Sequence, residues 1–178
     1  MPNIVYIATS LDGYIARKDG TIDWLMDIPN PEKSDYGFNE FMDRVDGVLM
    51  GRNTFETVVS FGEWPYTKPV FVLSTTLTRL PDAYQEKAFI VKGDLSRILE
   101  SLKEEGIENI YIDGGKTIQS FLQEDLIDEL IITRIPLVLG TGIPLFNETD
   151  QEFRFKTSET EVLNDYLVKT TYLRYREN

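Results

Sequence analysis

Two glycines and a lysine, Gly114-Gly115-Lys116, stand between a β-branched run, Ile110-Tyr111-Ile112-Asp113, and a stretch in which Ile118, Phe121 and Leu122 recur at helical spacing. The order reads as strand, tight turn, helix. Glycine has no Cβ, so its backbone comes within contact distance of a ligand. The helix behind it presents unpaired N–H groups and a positive dipole end. Lys116 adds a full positive charge to the first turn. This is chemistry for an anion, and the expectation is the pyrophosphate of a dinucleotide. A Gly-Gly pair also solves a plain turn, so its companions decide how much it means.

Two companions exist. Val48-Leu49-Met50 reads as a short buried strand and ends in Gly51-Arg52-Asn53-Thr54, followed by a helix with Phe55, Val58 and Val59 inward. This second strand–Gly–helix junction also carries a cation. Val70-Phe71-Val72-Leu73 ends in Ser74-Thr75-Thr76, three hydroxyls that suit phosphate or ribose oxygens or simply a hydroxyl-rich turn. In an open α/β sheet, ligands sit at the carboxyl ends of strands, where all three elements fall.

The rest of the chain supplies the scaffold. Ile4–Ala8 reads as a central strand, Tyr14-Ile15-Ala16 as an extended segment after the Asp12-Gly13 turn, and Trp24 as a partly buried anchor near the first strand's end. Ser34 or Asp35 caps a helix that runs to about Arg44 and buries Phe38, Phe41, Met42 and Val45. Phe89-Ile90-Val91 is a fourth strand, and a helix with Ile98, Leu99 and Leu102 inward ends at Gly106. Glu129 to Val138 is long, apolar and β-branched, with Pro136 suggesting an edge or a bulge. Phe153 to Thr157 and Tyr166 to Arg174 alternate as a terminal antiparallel hairpin. Strands alternate with about four helices and then continue alone. The expectation is an α/β, three-layer α/β/α fold with a mostly parallel central sheet and an antiparallel C-terminal hairpin.

Composition removes whole classes of function. The 178 residues suit one domain, 1–178, and the net charge of −12 opposes nucleic-acid or anionic-membrane binding. With 18 Lys and Arg in all, cations beside glycines carry information. There is no Cys and no His, which excludes disulfides, thiolate chemistry, His- or Cys-built metal sites and histidine-based triads; no metal site is expected. Acid–base work falls to Asp, Glu, Tyr, Lys or water. The cysteine-free chain, a start without a signal-like segment and the lack of any apolar run near ~20 residues point to the cytoplasm.

Taken together, these pieces resemble the dihydrofolate reductase superfold, and within it the reductase half of bacterial riboflavin-synthesis deaminase–reductases and their stand-alone relatives. The resemblance spans roughly Ile4 to Arg174. It rests on Ser10-Leu11-Asp12-Gly13, Ile22-Asp23-Trp24-Leu25, Met50-Gly51-Arg52-Asn53-Thr54-Phe55-Glu56, Val72-Leu73-Ser74-Thr75-Thr76, Ile112-Asp113-Gly114-Gly115-Lys116, Asp128-Glu129-Leu130 and Gly140-Thr141-Gly142-Ile143-Pro144-Leu145-Phe146, in that order.

The resemblance implies NADPH as cofactor and hydride transfer to a small heterocyclic substrate. The aminouracil phosphate of riboflavin synthesis is the first candidate substrate, and a pterin the second. A non-catalytic nucleotide-binding protein on the same fold is the rival of another class. By the same resemblance Arg52 pairs with the phosphate on the adenosine ribose, near Ser74 and Thr75. Gly51, Asn53 and Thr54 supply donors, and Gly114, Gly115, Lys116 and Thr117 form the pyrophosphate turn. Leu11, Asp12 and Trp24 border the substrate, Asp12 also reading as a turn-fixing residue. Counted back without gaps from Gly51, Asp35 falls where dihydrofolate reductases carry the carboxylate that grips the pterin, and it also reads as a helix cap. The segment 28–35 has Lys33 as its one cation. The apolar Leu130–Val138 stretch, with the resemblance, makes a homodimer an expectation.

Overall fold

The computed structural model describes residues 2–176. Ten strands and five α-helices follow one another as β1 (Asn3–Thr9), β2 (Tyr14–Ala16), α1 (Asp23–Met26), α2 (Phe38–Asp43), β3 (Gly47–Gly51), α3 (Arg52–Ser60), β4 (Val70–Leu73), β5 (Ala88–Val91), α4 (Leu95–Glu104), β6 (Ile110–Asp113), α5 (Gly115–Gln123), β7 (Glu129–Arg134), β8 (Ile143–Pro144), β9 (Phe155–Leu163) and β10 (Leu167–Arg174). Eight of them form one sheet in the order β5-β4-β3-β6-β1-β7-β10-β9, and β2 pairs with β8 in a separate small sheet. Pairing is parallel from β5 through to β7 and antiparallel for β10 and β9. The expected three-layer α/β fold is what forms.

Strands buried on both faces explain the continuous apolar runs. Val5, Leu49 and Ile112 pack beneath α4 and α5, on Ile98, Leu102, Ile118 and Phe121. Their strand neighbours Ile4, Val48, Met50 and Tyr111 point the other way, onto Phe41, Met42, Phe55 and Val58 of α2 and α3. A third, smaller cluster gathers Trp24, Ile135 and Leu167 against Ala8 and Tyr36, beyond the carboxyl end of β1.

Four local expectations change. β7 ends at Arg134, before Pro136, and lies inside the sheet between β1 and β10 rather than at an edge. β9 runs from Phe155 to Leu163, well past Thr157; it is a terminal strand with mostly exposed side chains, so its polar residues hide it. Trp24 lies on a one-turn helix, and α2 starts only at Phe38 because Gly37, at φ 87°, precedes it in left-handed conformation. Leu130, Ile131 and Ile132 are core residues of β7, whereas Leu137 and Val138, at the end of the same apolar stretch, are exposed.

Carboxylates fasten the ends of the elements. Arg174 of β10, 10% exposed as a side chain, donates to both oxygens of Asp125 at 2.6 and 3.2 Å. Asp46 Oδ2 accepts from Glu108 N, Asn109 N and Asn109 Nδ2, joining the starts of β3 and β6. The Arg174 bond holds Asp125 below the usual carboxylate range, and the Asn109 N–H does the same for Asp46. A carboxylate more acidic folded than unfolded stabilises the fold fully above the unfolded value and loses that contribution as pH falls through the folded one. Denaturation midpoints should therefore hold above about pH 5 and decline as the pH drops through about 4. Asp125→Asn should flatten that decline in urea titrations at stepped pH.

Candidate functional site

Register brings the three predicted turns together. Gly51 stands opposite Leu73, and Met50 opposite Asp113, so the carboxyl ends of β4, β3 and β6 are neighbours. At about 4.8 Å per strand the three turns span roughly 10 Å.

Arg52 opens α3. Its Nε donates to Glu56 Oε1 at 2.6 Å and its Nη1 to Thr76 Oγ1 at 3.2 Å, which bends the guanidinium over the turn that follows β4. Thr75 is exposed on that turn. Ser74 is buried, and its Oγ accepts the N–H groups of Thr76 and Leu77 at 3.3 and 3.0 Å. It builds the turn, and its hydroxyl proton is what remains for a ligand. Asn53 is exposed and Thr54 half-buried.

Gly114 has φ +91°, and a Cβ there would collide with Thr54 Oγ1. A Cβ on Gly115 would lie 2.5 Å from Ile15 Cδ1, and one on Gly51 3.1 Å from Thr117 Oγ1. The space that the glycines leave is used first by the protein itself: the two strand–helix junctions interlock, and β2 lies against the Gly-Gly turn. Thr117 is buried in that junction, while Lys116 is exposed beside a groove shared with Gln119 and Asn147.

Beneath the turn sits a residue that sequence reasoning missed. Asp113 closes β6, and its carboxylate accepts from Gly114 N at 2.8 Å and from Tyr66 Oη at 2.8 Å. Burial pushes its pKa up against those bonds. An acidic residue directly before Gly-Gly was the available signal; its partner Tyr66 is 47 positions away.

The substrate-side expectations fare differently. Asp12 accepts from Ser10 Oγ at 2.6 Å, Leu139 N at 3.1 Å and Gly140 N at 2.8 Å. Both carboxylate oxygens are used to tie loop 10–13 to loop 137–140, which is the turn-fixing role expected of it. The Ser10 hydroxyl and the two loop amides lower its pKa. Leu11, 54% exposed, keeps its side chain outward while its N–H bonds to Leu137 O. In Asp12→Ala, amide exchange at Leu139 and Gly140 should accelerate about tenfold or more, read by hydrogen–deuterium exchange.

Asp35 is exposed and accepts from Gly37 N at 2.9 Å and Asn39 N at 3.0 Å, which lower its pKa. It is a helix-start acceptor, as its cap reading expects, and it stays ionised at neutral pH. Trp24, 3% exposed, is buried in the third cluster rather than half-buried at the surface.

Around that cluster stand residues the sequence did not single out. Tyr6 Oη and Lys169 Nζ both donate to the Tyr36 carbonyl, at 2.7 and 3.3 Å. Lys169 also pairs with Glu161 at 2.5 Å. Burial, with Asp35 and Glu161 nearby, pushes the Tyr6 phenol up to about 12. Among the described residues, no cluster of metal-ligating side chains occurs, and no helix is long and apolar enough to cross a membrane.

A parallel sheet with helices on both faces, three turns at the carboxyl ends of β4, β3 and β6, and an antiparallel terminal hairpin define a dihydrofolate reductase-like domain. The chain belongs to the RibD C-terminal domain family, whose model matches residues 4–168. It is 41% identical over 162 residues to the uncharacterized protein YwjB of Bacillus subtilis, covering 89% of this chain and 90% of that one. A crystal structure from Shewanella sp. PV-4, of a protein provisionally named for riboflavin biosynthesis, superposes with a TM-score of 0.96 at 55% identity, covering 99% of this chain and 100% of the other. The RibD of Acinetobacter baumannii shares the fold at a TM-score of 0.75 and 19% identity; 98% of this chain matches 58% of that longer one.

Proposed function

We propose that this protein is an NADPH-dependent reductase of a small heterocyclic substrate, with the aminouracil phosphate of riboflavin synthesis as first candidate. The observation that carries the reading is the convergence of Arg52, Thr75, Thr76, Thr54 and the Gly114-Gly115 turn on one sheet edge. The residues fit a dinucleotide: neither α3 nor α5 has an acidic residue in its first turn, so both helix starts accept anions. Arg52 meets the adenosine ribose phosphate, with Thr75 and the Ser74 hydroxyl beside it. Gly51, Asn53 and Thr54 at one helix start, and Gly114, Gly115, Lys116 and Thr117 at the other, hold the pyrophosphate. The Arg52–Glu56 pair is exposed and four residues apart on one helix, worth about 0.3–0.5 kcal/mol, so a phosphate dianion readily displaces Glu56. The cofactor supplies the hydride when bound. The chain holds the acceptor near the carboxyl end of β1, and water or a phenol donates the proton. A cytoplasmic setting and a small-molecule partner belong to the same proposal, with a pterin as the second candidate substrate.

The test is fluorescence titration with NADPH and NADH, followed by oxidation of bound NADPH in the presence of candidate substrates. Arg52→Ala should weaken NADPH by about 1.5–3 kcal/mol, the range of a charge-assisted contact, and leave NADH nearly unchanged. Equal losses for both cofactors contradict the assignment. NADPH binding without turnover of any substrate favours the non-catalytic reading.

A further inference from the structure

Asp113 is a carboxylate that no cation answers. Its Oδ1 accepts the Gly114 N–H at 2.8 Å, and its Oδ2 accepts the Tyr66 hydroxyl at 2.8 Å. The Tyr111 phenol, which donates to the Tyr6 carbonyl at 3.0 Å, is close enough to act on it as well. On the adjoining strand β3, Met50 stands opposite. Among the described residues no lysine or arginine acts on Asp113, and Lys116, on the helix that follows, is exposed. Burial pushes the Asp113 carboxyl and both phenols upward, so the phenols stay protonated and neutral.

This carboxylate stands where an anion is expected to arrive. It directly precedes the Gly114-Gly115 turn and the start of α5, whose dipole favours negative charge. In its ionised form Asp113 is itself the anion at that helix start, and it occupies the Gly114 N–H. A pyrophosphate on the same turn brings further negative charge. It also displaces water from a carboxyl that is half-buried to begin with. Like charge and lost hydration both disfavour the ionised acid. The neutral acid keeps both contacts: Oδ1 still accepts from Gly114 N, and a hydroxyl on Oδ2 donates to Tyr66 Oη.

We propose that Asp113 is a proton-linked partner of the cofactor turn, taking up a proton from solvent as the pyrophosphate settles on Gly114-Gly115 and returning it when the cofactor leaves. The inference rests on the dinucleotide reading for the place of the pyrophosphate and adds a regulation of that site by pH. Tyr66 is a positioning residue that sets where on the pH scale the exchange falls, since its hydroxyl bonds the charged form of the acid. Between the titration of free and of cofactor-bound Asp113, affinity falls as pH rises, by up to about tenfold per pH unit.

The test is calorimetric titration of the whole chain with NADP+, which withstands acid better than NADPH, from about pH 5 to about pH 8 in two buffers of different ionisation enthalpy. Wild type should take up a proton on binding, and Asp113→Asn should take up less. The 2′-phosphate of the cofactor titrates near pH 6 in both proteins, so the difference between them belongs to Asp113. Asp113→Asn should match wild-type affinity at the acid end and exceed it about tenfold or more at the alkaline end. Tyr66→Phe should move the wild-type loss of affinity to higher pH. Equal proton uptake by wild type and Asp113→Asn overturns the proposal, and so do parallel affinity profiles, which make Asp113 a structural residue. If Asp113→Asn does not fold, Tyr66→Phe decides, and an unshifted profile overturns the proposal. NADP+ binding without the Asp113 signature removes this inference and leaves the dinucleotide reading intact, whereas no binding of NADP+ at any pH removes both.

Discussion

Gly114→Ala should destabilise the protein by about 3 kcal/mol or more and reduce dinucleotide affinity with it. Two separate costs meet at this position. Its backbone, at φ 91° and ψ 134°, lies in a region nearly closed to residues with a side chain, worth about 1–3 kcal/mol of strain. The added methyl would also occupy the volume of the Thr54 hydroxyl. Thr54 belongs to α3 and Gly114 precedes α5, so relieving the clash pushes apart the two helix starts that face the same proposed pyrophosphate. A double-mutant cycle separates the costs: Thr54→Ala should recover the clash and leave the strain. Urea denaturation of the four proteins, with NADPH titration of those that fold, provides the measurement. A loss under 1 kcal/mol for the single variant would show that the backbone at Gly114 is not held where it is described.

Phe121→Ala comes second, with an expected loss of about 3–5 kcal/mol. Phe121 is fully buried on α5, in the cluster shared with β1, β3, β6 and α4. Truncation leaves a cavity among neighbours that belong to several elements and cannot all collapse inward. For a chain of this length the melting temperature should fall by about 6–20 °C. The same helix begins at Gly115, so loosening it blurs the position of the turn. The variant should therefore bind NADPH more weakly though it touches nothing in the site. Unchanged affinity alongside a large drop in melting temperature would mean that the turn is fixed by Thr54 and Ile15 alone.

The sequence carried the local parts of this structure well. The strand–glycine–helix junctions at Gly51 and Gly114 are written within a dozen residues each, because strand period, glycine and helix period follow one another without interruption. β4 ends at Leu73, where the hydroxyl run begins, for the same reason. What depended on distant neighbours was hidden. Asp12 reads as a turn-fixing residue, but nothing near it in sequence names loop 137–140 as what it fixes. Trp24 looks half-exposed until Ile135 and Leu167 cover it. Lys169 sits in an alternating terminal strand, and nothing around it foretells a bond to the carbonyl of Tyr36, 133 positions earlier. The later half of β9, past Thr157, escaped because a strand paired on one edge only can be polar along most of its length. Asp35 was legible as a cap, because the amides of Gly37 and Asn39 that it accepts from lie close by in sequence.

The position of β1 bears on how the molecule is made. It is the first strand in the chain, yet both its neighbours come late: it meets β6 at Ile110 and β7 at Glu129. At ribosomal speeds of about 5–20 residues per second, the hundred residues between leave it without a partner for roughly 5–20 seconds. During that interval an apolar β-rich segment is exposed to the cell, and β3 and β4 are free to associate without it. Pairing across so long a separation also predicts slow refolding in vitro. Newly made chains of this protein are accordingly expected to lean on chaperones during synthesis, more than their modest size suggests.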